Sequence, residues 1–375
     1  MAALKDQDSK VRKNAVESLG SFPRESAQSI PGLLERLGDD DVEVRRATIL
    51  ALGNLGKGQN NVEEALKKYT QDSDPVTRLD ALVAMAELGK TEETGIPTLL
   101  KALGSSKEAT ARAAAKALSM IAAEKPQEVL PGIMEILDKK EQPAAINSLR
   151  IIRGMKSQSS EAAPRIASLY KSVTPHERRE IVDTLTAIDT EGNYTIPVLI
   201  EALKEPAPYD RRDALLGLMK YRSKVDLFID SLTDELKDND LENKFLAINI
   251  VRGLGQQGSK ALPAMIMLTN DQNPQVRAAV VNAIGVFGSS YPEVVRTLGQ
   301  TVTDADLRVR MASVVALENA GKTNPQEVIP ILQRALDSEK LDAAKRRIKA
   351  ALDGLNKKVA SPTGQQSAEK QQNNK

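Results

Sequence analysis

The sequence predicts an all-α protein of about ten stacked helix pairs plus a partial N-terminal unit, and three observations predict it. Apolar residues recur at three- and four-residue steps, as in Ile30, Leu33, Leu34, Leu37 and then Val44, Ala47, Ala51, Leu55, which is the helical period. Three different markers return together about every 33 residues, the signature of an array of small structural units. The 375-residue chain is 41% hydrophobic but only 3% aromatic, with no Trp. Its core must therefore be built from Leu, Ile, Val, Ala and Met, which helices pack readily.

The first marker is Val-Arg or Thr-Arg, at Val11-Arg12, Val44-Arg45, Thr77-Arg78, Val276-Arg277 and Val309-Arg310. An acid or Asn precedes each: Asp8, Asp41, Asp74, Asn273, Asp306. The second is a proline, at positions 31, 97, 131, 164, 197, 263 and 330; the third is a glycine, at 56, 89, 255, 288 and 321. Each unit thus reads as two helices. The first opens near the proline, where a missing N–H costs little. Pro126 and Pro325 offer earlier starts that would leave Pro131 and Pro330 inside their helices. The second helix opens on Asp41 or its equivalent as N-cap and closes on Gly56 or its equivalent as a left-handed C-cap. On this reading the second helices fall near 8–20, 41–55, 74–88, 107–123, 141–154, 175–188, 208–221, 240–254, 274–287, 306–320 and 340–356.

The pattern I/L-P-x-L-x-x-x-L, an Asp-containing turn, then V-R-x-x-A-x-x-A-L-G resembles the short prokaryotic-type HEAT repeats of bilin-lyase-like proteins. The resemblance runs from residue 4 to about 357 and weakens between about 127 and 258, where Asp-x-x-Val-Arg is lost. It implies a right-handed α-α superhelix, a HEAT-type solenoid over 1–357, in which each unit covers its neighbour's apolar face. Ten units at helix spacings of about 8–10 Å would span on the order of 100 Å. The stretch 358–375 is polar and reads as a disordered tail.

At the N-terminus, Ala3 and Leu4 align with the end of a first helix, so the chain is expected to begin inside a repeat. That would leave Val11, Ala15 and Leu19 facing water unless further repeats or an end-to-end partner cover them. At the other end Lys345, Arg346, Arg347, Lys349, Lys357 and Lys358 suit a solvated end face. No compartment follows from these features. The N-terminus carries charges where a secretion signal needs an apolar core, and no run is long and apolar enough to span a membrane.

The candidate sites divide into a structural ladder and a groove. Asp8, Arg12, Asp41, Arg45, Asp74, Arg78, Arg277, Asp306 and Arg310 repeat with the unit, so they read as caps and ties between units and not as chemistry. On second helices, the positions two and six residues past each Val-Arg valine are expected to face a concave groove: Arg46 and Leu50, Leu79 and Val83, Ala278 and Asn282, Met311 and Val315. That face is mixed and partly apolar, which suits a protein or peptide helix.

Other chemistries fare worse. Cys is absent and His176 is the single histidine, so a metal site would have to be completed by carboxylates. HEAT-type di-iron hydroxylases carry several His-Glu pairs, whereas this sequence has only His176-Glu177. HEAT-type alkylpurine DNA glycosylases imply a cationic excess and aromatic residues. This chain has 52 basic against 51 acidic residues, which disfavours nucleic acid, although Arg178, Arg179, Arg211 and Arg212 could meet an anion locally. The resulting expectation is a non-enzymatic, cofactor-free scaffold with a protein partner. A bilin-lyase-like enzyme or accessory protein and a nucleic-acid binder are the alternatives.

Overall fold

A computed structural model describes residues 1–21, 28–90, 95–288 and 290–360. The described residues form helices, turns and bends, with no strand among them. The expected tail lies outside them from residue 361 onward, and its first residues belong to the last helix, which continues to Val359.

The helices alternate as the period requires. A short 3-10 helix, Ala2–Lys5, precedes α1 (Ser9–Gly20). The pairs that follow are α2 (Ile30–Arg36) and α3 (Val42–Leu55), α4 (Asn60–Lys67) and α5 (Pro75–Glu87), α6 (Ile96–Ala102) and α7 (Glu108–Glu124). Next come α8 (Pro126–Lys139) and α9 (Ala144–Met155), α10 (Ala163–Leu169) and α11 (Pro175–Ile188), α12 (Thr195–Ala202) and α13 (Pro208–Leu218). The series ends with α14 (Ile229–Glu235) and α15 (Leu241–Leu254), α16 (Leu262–Leu268) and α17 (Pro274–Ile284), α18 (Pro292–Thr301) and α19 (Leu307–Gly321), α20 (Pro325–Ser338) and α21 (Asp342–Val359). The odd-numbered helices are the expected second helices. Pro131 and Pro330 lie inside α8 and α20, because those helices start at Pro126 and Pro325.

Two compact units divide the chain, Met1–Val198 and the part from Leu199 onward. In the first, odd helices pack on one another in chain order, α1 on α3, α3 on α5, α5 on α7, α7 on α9 and α9 on α11, while each even helix packs on the odd helix after it. In the second, α13, α15, α17, α19 and α21 form the same series, with α14, α16, α18 and α20 laid against them.

The core of each unit lies between its odd and even layers. Near the start it is built from Leu33, Val44, Leu52, Val62, Leu66 and Met85, all fully buried. In the second unit Val276, Val280, Phe287, Val294, Leu298, Val309 and Leu317 play the same part. At such sites truncation of a leucine to alanine costs about 2–5 kcal/mol. At the N-terminal end Val11 is exposed, but Ala15 and Leu19 are half-buried against the first core cluster, so that face is less open than the sequence suggests.

The grid glycines do two jobs. Gly89 and Gly255 adopt positive φ, 77° and 55°, where glycine alone is unstrained. Gly56 does not: its φ is −89°, so the left-handed C-cap expected there is absent. A Cβ on Gly56 would sit 2.5 Å from Val62 Cγ1. Its small size lets α4 approach the end of α3.

Candidate functional site

The turns before α1, α3, α5, α15 and α19 each carry a pair of acids two residues apart, and the structure gives the two different work. Asp8, Asp41, Asp74 and Asp306 are N-caps: Asp41 accepts the Glu43 N–H at 2.8 Å and Asp74 accepts the Thr77 N–H at 2.8 Å. The ladder acid stands two residues earlier. Arg12 reaches Asp39 through Nε at 2.8 Å and Nη2 at 2.7 Å. Arg277 reaches Asp304 in the same forked manner at 2.9 and 2.8 Å, and Arg211 reaches Asp238 at 2.8 and 2.7 Å. Arg310 meets Glu339 at 2.7 Å, and Lys244 replaces arginine against Asp271. Expecting Asp8, Asp74 and Asp306 to supply the forked bond between units is thereby corrected: their oxygens cap their own helices, and the fork falls to the acid two residues earlier. Asp41 does both jobs, capping α3 and sharing a side-chain hydrogen bond with Ser9 of the unit before.

Each such Asp also fixes its own turn, since Asp39 accepts the Asp41 N–H and Asp304 the Asp306 N–H. Arg12, Arg277 and Arg310 add a third contact by donating Nη1 to carbonyls of their own turn: Arg12 to Asp6 and Gln7, Arg277 to Asp271 and Gln272, Arg310 to Asp304 and Ala305. Arg45 donates in the same way to Asp39 and Asp40 and Arg78 to Asp72, so these two, expected to tie units, brace their own turns. The forked bond to Arg12 holds the Asp39 carboxyl well below the usual range, and Asp39 in turn raises the Arg12 guanidinium. Glu339 falls to about 2 for the same reason, its bond to Arg310. The doublet Asp-x-Asp/Asn, at 39/41, 238/240, 271/273 and 304/306, was the visible signal of this division.

A second set of charges joins odd helices directly. Arg46 on α3 donates Nε to Asp80 on α5 at 2.8 Å, although burial still raises the Asp80 carboxyl above its ordinary value. Lys116 pairs with Glu87, Arg153 with Glu180 at 3.1 Å, and Arg212 with Glu242.

The expected groove residues separate. Leu79 and Val83 are only 5% and 3% exposed, so they are core and the groove assignment is corrected for both. The cause is α5 itself, where every residue from Leu79 to Ala86 is buried between α3 and α7. Leu50 and Met311 are half-buried. Asn282 and Val315 do come together, lining a pocket of about 290 Å³ between α17 and α19.

The larger opening is a groove of about 890 Å³ across α7, α9 and α11. Its floor includes Ala111, Ala115, Met120 and Ile146; Arg112, Lys116, Arg150 and His176 stand around it. The alanine run of α7, Glu108-Ala-Thr-Ala-Arg-Ala-Ala-Ala115, leaves the hollow, because methyl side chains do not fill the space that leucines occupy elsewhere. Arg112 and Lys116 lie two and six residues past Thr110, the position equivalent to Thr77. The offset rule that misplaced Leu79 and Val83 therefore finds the groove one unit later. His176 sits in the first turn of α11 behind a capping box of Thr174 and Glu177, and the described residues contain no cluster of His, Asp and Glu able to hold a metal ion. No described helix is long and apolar enough to cross a membrane.

Comparison with solved structures finds the karyopherin Kap121p bound to the extreme C-terminus of the protein phosphatase Cdc14p, at 13% identity and a TM-score of 0.57, covering 93% of this chain and 44% of the karyopherin. Kap121p bound to Nup53p gives the same values, and Kap121p bound to the SUMO protease Ulp1p a TM-score of 0.56 at 13% identity, with the same coverage. This chain thus spans less than half the length of those neighbours, and the likeness is one of fold. No curated protein matches it in sequence. The family model of HEAT repeats matches residues 1–86, 62–150 and 265–353, and with the helix pairs and the arginine ladder described above, the chain belongs to the HEAT-repeat family.

Proposed function

We propose that this chain is a protein-binding scaffold with no reaction of its own, and that its partner is held in the α7–α9–α11 groove. The groove carries the reading: it is broad, its floor is apolar, and its rim is charged, the surface type that recognises protein segments. The fold likeness to Kap121p, itself seen bound to other proteins, supports a protein ligand. A photo-crosslinking residue placed at Ser119 should capture one stoichiometric protein from native extract. The Ala123→Arg variant, which obstructs the groove at an exposed position, should lose it while keeping its helicity. Capture that is unchanged in the Ala123→Arg variant would refute the placement, and the absence of any captured protein would refute the scaffold.

A further inference from the structure

The geometry points to one kind of occupant for this groove, an acidic amphipathic α-helix whose carboxylate meets Arg150; the inference rests on the scaffold reading and specifies its ligand. Three observations carry it. The groove is walled by helices, whose main-chain N–H and C=O groups bond within each helix. An extended strand takes its affinity from main-chain partners on the receptor, and a polyproline segment from an aromatic-lined groove, whereas the lining residues here include no aromatic side chain other than His176. Side-chain amides could stand in for main-chain partners, but Asn147, the amide on the groove wall, already donates its Nδ2 to the Leu103 carbonyl at 2.7 Å. The groove therefore favours a segment that satisfies its own backbone, as a helix does.

The dimensions agree. A helix of about 15 residues is about 22 Å long at 1.5 Å per residue. The wall contributed by α7 runs from Glu108 to Ala123, about 22 Å of axis at 1.5 Å per residue. Its small side chains allow close approach to an apolar stripe.

Charge selects the sign. Both acids on the rim are engaged, Glu108 by Arg112 and Glu180 by Arg153. Lys116 is held by Glu87. Arg150 is exposed and forms no ion pair among the described residues. The uncompensated charge beside the floor is therefore positive, and it favours a carboxylate on the incoming helix.

The test is selection of a displayed library of random peptides of about 15 residues on the full chain, with counter-selection on the Ala123→Arg variant. Groove-dependent binders should carry apolar residues at i, i+3, i+4 and i+7 flanked by Glu or Asp, gain helical circular dichroism on binding, and weaken at least about tenfold against Arg150→Glu. Changing the peptide acid to Lys should restore affinity for that variant. Binders that are proline-rich, basic or non-helical when bound, or indifferent to Arg150→Glu, would overturn the inference, as would a library yielding no groove-dependent binder. Should the photo-crosslinked native protein still depend on Ala123 in any of these cases, the scaffold reading stands and only the identity of its ligand falls.

Discussion

Arg12 and Asp39 are 27 residues apart in sequence and joined by two nearly parallel hydrogen bonds of 2.8 and 2.7 Å. Asp41, two residues further on, takes no part in that fork and caps α3. The two aspartates should therefore respond differently to the same substitution. Asp39→Ala removes both bonds of the fork, leaves Arg12 only Asp40 and two turn carbonyls, and should cost about 2–3 kcal/mol, the range for a hydrogen bond to a charged group. Asp41→Ala removes a cap and should cost about 1 kcal/mol. Urea melts of the two variants check the ranking; equal losses would refute the division of labour.

Glu235, the last residue of α14, has a buried Oε2 without a hydrogen-bond partner among the described residues. Burial, helped by the neighbouring Asp238, pushes its carboxyl up to about 7. A folded-state value above the unfolded one means that the folded chain keeps this proton more tightly. The associated stability is complete below about pH 4.5 and drains away as pH rises through about 7. Glu235→Gln should accordingly melt above the parent protein at pH 8, and that advantage should shrink toward pH 5. An advantage independent of pH would remove Glu235 as its source.

The opposite slope belongs to Glu339, which Arg310 lowers to about 2. Its contribution is present above about pH 4.5 and disappears as the solution is acidified toward pH 2. Glu339→Gln should flatten the acid limb of the melting profile while lowering stability at neutral pH.

Two glycines on the same grid predict opposite side-chain tolerances. Gly89 has open space around its missing Cβ but a φ of 77°, so Gly89→Ala should cost about 1–2 kcal/mol and Gly89→Asn less. Gly56 has ordinary φ but meets Val62 and the Leu52 carbonyl. Gly56→Ala should cost about 1–3 kcal/mol by overpacking, and Gly56→Asn more. Thermal melts distinguish the two patterns.

Leu79→Asp tests the corrected placement of that residue. In an open groove it would change binding alone; buried beside α3 and α7, the carboxylate should cost about 3 kcal/mol or more. A variant that retains full stability would restore Leu79 to the surface.

Much of this was legible in the sequence because the repeat imposes the same local solution many times. The 33-residue spacing places α3, α5 and α19 within one residue of their observed limits, while α17 stops at Ile284, three residues short, where a 3-10 turn takes over. Other features depend on neighbours that a linear pattern does not show. Asp39 and Asp41 look alike along the chain, and only the approach of Arg12 from the preceding unit tells them apart. Leu79 and Arg112 occupy equivalent positions in successive units, yet one is covered and the other open, since α5 is buried along its length from Leu79 to Ala86 and α7 is lined with alanine. The Gly56 position similarly reads as a cap until the proximity of Val62 is known.

The 27-residue interval is common to Lys244–Asp271 and Arg277–Asp304. Excising one whole period between them would bring Asp304 to the place Asp271 held, ready to receive Lys244. Where joints are built alike, as these two are, such a lineage can lengthen or shorten by duplication and deletion of entire modules, because the ends left behind already fit.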